Sequence, residues 1–116
     1  MRIVISALIL AAAALPVAAA AQQRTGYTQI ASGDFATAEQ TLTAERRIFP
    51  QKPELMLNLA AVYQRTNRAT EARALYAEVM AQPNVLMDVS AERTAWSHDL
   101  AETGLRRIGG VQMSAR

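Results

Sequence analysis

A constant offset relates two stretches of this chain, residues 33–50 and residues 67–83. At an offset of 34 positions (38 to 72, 42 to 76), residues of matching size and type pair: Ala38 with Ala72, Leu42 with Tyr76, and Gly33 with Asn67. Small residues, large residues and turn residues recurring at one interval are typical of a repeated helical hairpin. Such repeats build surfaces rather than catalytic centres, so the offset favours a binding protein without naming what it binds.

Residues 1–21 are predicted to be a secretory signal peptide. Arg2 supplies a positive charge, residues 3–17 are apolar apart from Ser6, and residues 18–21 are all small. We expect cleavage near Ala20/Ala21, a periplasmic or secreted location, and no stable membrane anchor afterwards. The alternative is an uncleaved anchor, although the apolar run is shorter than the roughly 20 residues that span a bilayer.

The remaining residues, 22–116, are predicted to form one small all-α domain. They contain no Cys, so disulfides cannot stabilise it, and they are rich in Ala, Leu, Gln, Glu and Arg, which favour helices. Of the 12 Lys and Arg, Arg2 leaves with the signal, so 11 face 10 Asp and Glu. This near balance argues against nucleic-acid binding.

Turn and capping residues divide this segment into five helices, predicted at about 27–31, 35–48, 54–66, 70–81 and 91–108. Gly33 can adopt a positive φ, Asp34 can cap the second helix, and Pro53 suits the first turn of the third. Residues 85–89 are interpreted as a connection, after which Asp88 or Ser90 caps the last helix. Gly109 and Gly110 end that helix, so residues 109–116 are predicted to be a flexible tail.

The expected core consists of apolar residues at helical spacing: Phe35, Ala38, Leu42, Ile48, Leu55, Leu59, Val62, Tyr63, Ala72, Leu75, Tyr76, Val79, Ala91, Ala95, Trp96, Leu100, Leu105 and Ile108. Tyr76 and Trp96 are interpreted as core residues rather than as walls of a ligand site, because large aromatics on such faces mostly fill volume.

The order Met56-x-x-Leu59-Ala60-x-x-Tyr63, then Ala72-x-x-x-Tyr76, then Pro83 resembles the tetratricopeptide repeat family. The resemblance implies antiparallel helix hairpins stacked as a short solenoid, with repeats at about 22–52 and 53–86 and a C-terminal capping helix at about 90–108. The leading helix of the first repeat is short, and two repeats are fewer than the three or more that solenoids usually need.

Residues with catalytic chemistry are sparse in this sequence. His98 is the single His and is interpreted as a surface residue paired with a carboxylate; no partner stands at metal-ligand spacing. We therefore expect no enzyme activity, no cofactor and no metal. The doublets Arg46-Arg47 and Arg106-Arg107 are interpreted as solvated surface, with contact to an acidic partner or anionic lipid as the alternative.

The resemblance also implies where a partner would bind. In that family the inner groove is lined by outward positions of each first helix, which in this chain are Glu54, Leu57, Asn58, Ala61, Gln64 and Arg65. This mixture suits a peptide or a helix of another protein, because its polar side chains can bond a backbone while Leu57 and Ala61 leave an apolar floor. The predicted function is a non-catalytic periplasmic protein–protein interaction module. The alternative is a self-associating structural protein of the cell envelope, including a homodimer.

Overall fold

The computed structural model describes residues 26–90 and 92–114. The predicted signal peptide and Ala91 lie outside the described residues. The elements in chain order are α1 (Tyr27–Ser32), α2 (Phe35–Ile48), α3 (Pro53–Arg65), α4 (Ala69–Ala81), β1 (Leu86–Ser90), β2 (Arg93–Trp96) and α5 (Ser97–Ser114). The first four helices begin and end within a residue or so of the predicted positions, because their boundaries are set by local signals.

The turn and capping residues at these boundaries adopt the expected backbone geometry. Gly33 has a φ of 80° at the end of α1, where a side chain would strain the backbone. The Asp34 carboxylate accepts a hydrogen bond from the Thr37 backbone N–H at 3.3 Å and so caps α2. Pro53 begins α3, and Asn67 has a φ of 61° between α3 and α4. The two helical hairpins are therefore closed by the turn residues that the sequence indicates.

Helix α3 lies at the centre of the packing and contacts α1, α2, α4 and α5. Ala38, Ala60 and Ala72 are each 0% exposed, which confirms that the small residues lie where helices approach closely. Leu42 is also fully buried, and Tyr76 nearly so. The pairs Ala38–Ala72 and Leu42–Tyr76 at the 34-position offset are therefore pairs of buried packing positions.

One helical core assignment was wrong. Ile48 is 65% exposed, and Phe49 beside it is 49% exposed. Ile48 follows Leu42 by six residues, which turns it about 240° around the helix and away from the face that packs on α3. The end of α2 consequently presents two apolar side chains to solvent.

The all-α prediction was wrong for residues 86–96, which form an antiparallel hairpin. Leu86 pairs with Trp96 and Met87 with Ala95, and the Ser97 N–H donates to the Val85 carbonyl at 2.8 Å. Met87 is buried in the core that the helices share. The strands form because this inward residue adds to that core, which is a long-range effect that short-range periodicity does not report.

The capping helix was predicted to start near residue 90 with Asp88 or Ser90 as its cap, and both points were wrong. It starts at Ser97, where the Asn84 side chain accepts a hydrogen bond from the His98 N–H at 3.0 Å. Trp96 therefore belongs to β2 rather than to a helix face, and it is 45% exposed rather than in the core.

At its other end α5 continues through Gly109 and Gly110 to Ser114, so the predicted helix end at Ile108 was also wrong. Ile108 and Ala101 are buried and join the core. Within the described part of the chain, no helix has both the length and the apolar character needed to cross a membrane.

Candidate partner-binding surface

Five of the six residues predicted to contact a partner have some solvent-accessible surface on α3. Arg65 is exposed, and the others of this group are half-buried: Glu54, Asn58, Ala61 and Gln64. Leu57 differs, because it is only 7% exposed and belongs to the hydrophobic core. Its burial leaves little of the expected apolar floor, so Ala61 is the remaining apolar member of the surface. We call the five accessible residues the α3 surface.

The amide of Gln64 is oriented by a neighbour on the next helix. The Tyr76 hydroxyl donates a hydrogen bond to Gln64 Oε1 at 3.0 Å. The Tyr76 ring in turn lies directly against the backbone of Gly104 in α5. With Oε1 bonded to Tyr76, the amide N–H groups are the donors that Gln64 has left. The bond therefore makes Gln64 a hydrogen-bond donor at the C-terminal end of the α3 surface.

Two arginines from different helices lie near the same tyrosine. Burial raises the pKa of Tyr76, whereas the positive charges of Arg107 in α5 and Arg65 in α3 act in the opposite direction. Both guanidinium groups are therefore close enough to the phenol oxygen to affect it. Both side chains are exposed, and neither forms an ion pair with another described residue. The C-terminal end of the α3 surface is consequently positively charged.

Sequence reasoning did not assign Arg107 to this surface. The position of the Arg106-Arg107 doublet relative to Arg65 depends on how α5 packs across α3 and α4. Spacing along the chain carries no information on that packing, since Arg65 and Arg107 are 42 positions apart (107 minus 65). Both arginines of the doublet are exposed, as the interpretation of a solvated surface expects.

A charged pair fixes the first helical hairpin to the second. Arg68 donates to both carboxylate oxygens of Glu39, from Nη1 at 2.7 Å and from Nη2 at 2.6 Å. Its Nε donates to Thr66 Oγ1 at 3.1 Å, and its guanidinium lies 4.5 Å from the centre of the Tyr63 ring. The hydrogen bond from Arg68 lowers the pKa of Glu39. This arrangement ties α2 to the turn between α3 and α4.

An open cavity of about 270 Å³ lies between α2 and α3. Its lining residues come from both helices: Thr43, Arg46, Arg47, Leu59 and Tyr63. Arg46 Nη2 is 3.7 Å from Glu78 Oε2, and its buried Nε has no hydrogen-bond partner among the described residues. The Glu78 carboxylate therefore partly balances the charge of Arg46 beside this cavity.

His98 has a structural contact instead of the expected carboxylate. Its Nε2 lies 2.6 Å from the carbonyl oxygen of Gln82, so the ring joins the start of α5 to the end of α4. Among the residues that the structure describes, no three His, Cys, Asp or Glu side chains are grouped to hold a metal ion.

Comparison with known proteins shows that the two helical hairpins match a protein family. Residues 29–84 match the model of a family described as tetratricopeptide repeat. The match runs from α1 to just beyond α4 and leaves out the β hairpin and α5. Searches of curated proteins and of solved structures gave no match.

Proposed function

Because this chain belongs to the tetratricopeptide repeat family through residues 29–84, we propose that it is a non-catalytic module that binds another protein after export. Repeats of this family generally mediate protein–protein interaction. The observation that supports a specific site is that the positive charges of Arg65 and Arg107 both act on the Tyr76 hydroxyl, which bonds to Gln64 at one end of the α3 surface.

The packing of the helices supports a groove along α3. In the hairpin order, α1, α3 and α5 occupy equivalent leading positions, and α3 contacts both of the others. A segment lying along α3 would thus be flanked on both sides. The partly accessible polar residues can bond its backbone, and Ala61 leaves room for a side chain. We infer that the occupant is an extended peptide or a helix of a partner protein.

Charge along α3 gives that occupant a direction. Glu54 stands in the first turn, 3.7 Å from Lys52, so the charge at that end is largely balanced. Arg65 and Arg107 leave the opposite end positive. An acidic side chain or terminal carboxylate of the partner is therefore expected against the two arginines, where a bidentate guanidinium contact is available.

Site-specific photo-crosslinking in cells tests this proposal. A photoreactive amino acid at Ala61, on the α3 surface, should form a discrete covalent adduct with a partner protein. The same amino acid at Ala74, an exposed position on α4, is the control and should not form it. Adding R65E to the Ala61 probe should reduce the adduct, whereas R47E, an equal charge reversal on α2, should leave it. Equal adducts from both probe positions, or none from Ala61, would contradict the proposal.

We also propose that the protein works outside the cytoplasm, on the strength of residues 1–21 alone. The mature chain should begin at Ala21 or Gln22, which intact-mass measurement of the purified protein resolves. Fractionation should recover that shortened form from the periplasm or the medium. A full-length chain starting at Met1 in the cytoplasmic fraction would refute export.

Self-association is the second candidate function, and the exposed pair Ile48 and Phe49 favours it. Adjacent apolar side chains at the end of α2 could be covered by a second copy. Sedimentation at several concentrations distinguishes the two functions. A dimer that I48S and F49S convert to a monomer would support the structural role, whereas a monomer throughout would leave the groove as the better explanation.

A further inference from the structure

The outer face of the β hairpin carries an apolar pair that is about half exposed. Along β1 the side chains alternate, so Met87 points into the core whereas Leu86 and Asp88 point outward. Leu86 faces Trp96 across the hairpin, and these side chains are 56% and 45% exposed. An exposed cross-strand Leu–Trp pair is a large apolar surface for so small a sheet.

The backbone at the edge of β1 is also available. The Ser97 N–H donates a hydrogen bond to the Val85 carbonyl, so Val85 and Ser97 form a hydrogen-bonded pair. This determines which of the following cross-strand pairs are hydrogen-bonded. In an antiparallel ladder the next pair, Leu86 with Trp96, is then a non-hydrogen-bonded one. The N–H and C=O groups of Leu86 and, two residues on, of Asp88 therefore point away from β2. Helix α5 packs on β2, and the principal packing partner of β1 is β2 itself. Among the described residues no other strand pairs with the second edge of β1, so this edge is able to accept another strand.

We propose that the β1 edge binds an extended segment of a partner protein that carries an apolar residue and a basic residue two positions apart. The apolar residue packs beside Leu86, and a long side chain there reaches over Leu86 to Trp96 on the next strand. The basic residue faces Asp88, whose exposed carboxylate forms no ion pair with another described residue. Main-chain hydrogen bonds to Leu86 and Asp88 add the segment as a third strand.

The charge of Asp88 argues against a second copy of the same strand as the occupant. Antiparallel pairing of two β1 edges about their centres places the two Asp88 carboxylates opposite or diagonal to each other. Like charges at such positions destabilise a ladder. A strand with Lys or Arg at that place has the complementary charge, so the surface favours a foreign segment over self-pairing.

This surface is separate from the α3 surface, so the two proposals can fail independently. Selection of random peptides displayed on phage, with the purified protein as bait, tests the hairpin site. Enriched peptides should share an apolar and a basic residue two positions apart, in the order basic–any–apolar for an antiparallel strand or apolar–any–basic for a parallel one. With D88K as bait, an acidic residue should replace the basic one, whereas E92K, an equal charge reversal in the neighbouring turn, should keep the original pattern.

Trp96 provides a direct readout because it is the chain's single Trp. A synthetic peptide with the selected sequence should shift its fluorescence to shorter wavelength as the indole is covered. D88K should weaken binding by about tenfold, since an opposite-charge pair becomes a like-charge pair. L86S should abolish the shift, and circular dichroism should show that both variants keep the helical spectrum of the parent.

Three results would overturn the inference. If L86S and D88K leave the binding of the selected peptides unchanged, the peptides bind elsewhere on the protein. Peptides lost only with R65E would assign binding to the α3 surface, which would support the proposed function and refute this site. A dimer that L86S dissociates would show that a second copy occupies the hairpin.

Discussion

The Tyr76 ring lies against the Gly104 backbone so closely that a Cβ at position 104 would lie 2.6 Å from both Cε1 and Cε2. This contact joins α4 to α5, and it explains a glycine inside a helix where glycine costs stability. The Tyr76 hydroxyl continues the contact to Gln64 of α3. One aromatic side chain thus connects three helices.

G104A should therefore destabilise the protein, although alanine favours helices. Displacing a buried ring costs about 1–3 kcal/mol, which exceeds the gain of about 1 kcal/mol in helix propensity. G109A is the matched control in the same helix, because a Cβ there meets no atom within 4 Å. We expect G104A to lower and G109A to raise the midpoint of chemical unfolding. A stabilised G104A variant would show that the ring does not rest on this glycine.

Packing of the two hairpins should depend on the small residues at the repeated positions. A72L introduces three carbons at a site that is 0% exposed, so we expect a loss of about 1–3 kcal/mol or more in the free energy of unfolding. A74L on the same helix adds the same atoms in solvent and should change it by no more than about 0.5 kcal/mol. Urea titrations of both variants give the comparison, and equal effects would contradict the packing described.

The local parts of this fold could be predicted from the sequence, whereas the parts that depend on distant contacts could not. Gly33, Asp34 and Pro53 act on neighbouring residues, so their spacing gave the limits of α2 and the start of α3. The strand from Leu86 to Ser90 depends on burying Met87 against helices formed elsewhere in the chain. No turn sequence of the Asn-Gly kind marks the hairpin, so the sequence carried no local strand signal there.

The candidate site likewise has features that the sequence predicts locally and features that depend on distant contacts. Helical periodicity was sufficient to place Arg65 on the accessible side of α3. It could not show that Leu57, two turns before Arg65 on the same face, is covered, nor that the charge of Arg107 in α5 acts at the same tyrosine as that of Arg65. Both outcomes are set by the packing of neighbouring helices, which periodicity within α3 does not contain.

The ion pair between Glu39 and Arg68 should make the free energy of unfolding depend on pH. Hydrogen bonding to Arg68 lowers the pKa of Glu39, so the folded state keeps this carboxylate charged where the unfolded chain has protonated it. Its stabilisation is therefore complete above the ordinary glutamate pKa of 4.5 and is lost as pH falls through the lowered value.

E39Q should accordingly lower the melting temperature at neutral pH and have little effect once the pH is well below 4.5. E102Q is the control, because Glu102 is exposed on α5 and forms no ion pair with another described residue. Thermal unfolding of the parent and both variants across this pH range measures the difference. A deficit in E39Q that persists unchanged in acid would show that lost packing, rather than charge, is responsible.

The start of α5 should depend on Asn84, which lies 13 positions before Ser97 (97 minus 84) and outside the helix. Its Oδ1 accepts from the His98 N–H at 3.0 Å, and Ser97 Oγ lies 3.4 Å away. These bonds satisfy donors that a helix start leaves without intrahelical partners. N84A should therefore cost about 1 kcal/mol, as removal of a helix cap does, whereas N84D keeps the acceptor and should cost less. Hydrogen exchange of the His98 amide measures the effect locally: it should accelerate in N84A before that of Ala101, which lies within the helix. Unchanged protection of His98 would mean that α5 begins without this cap.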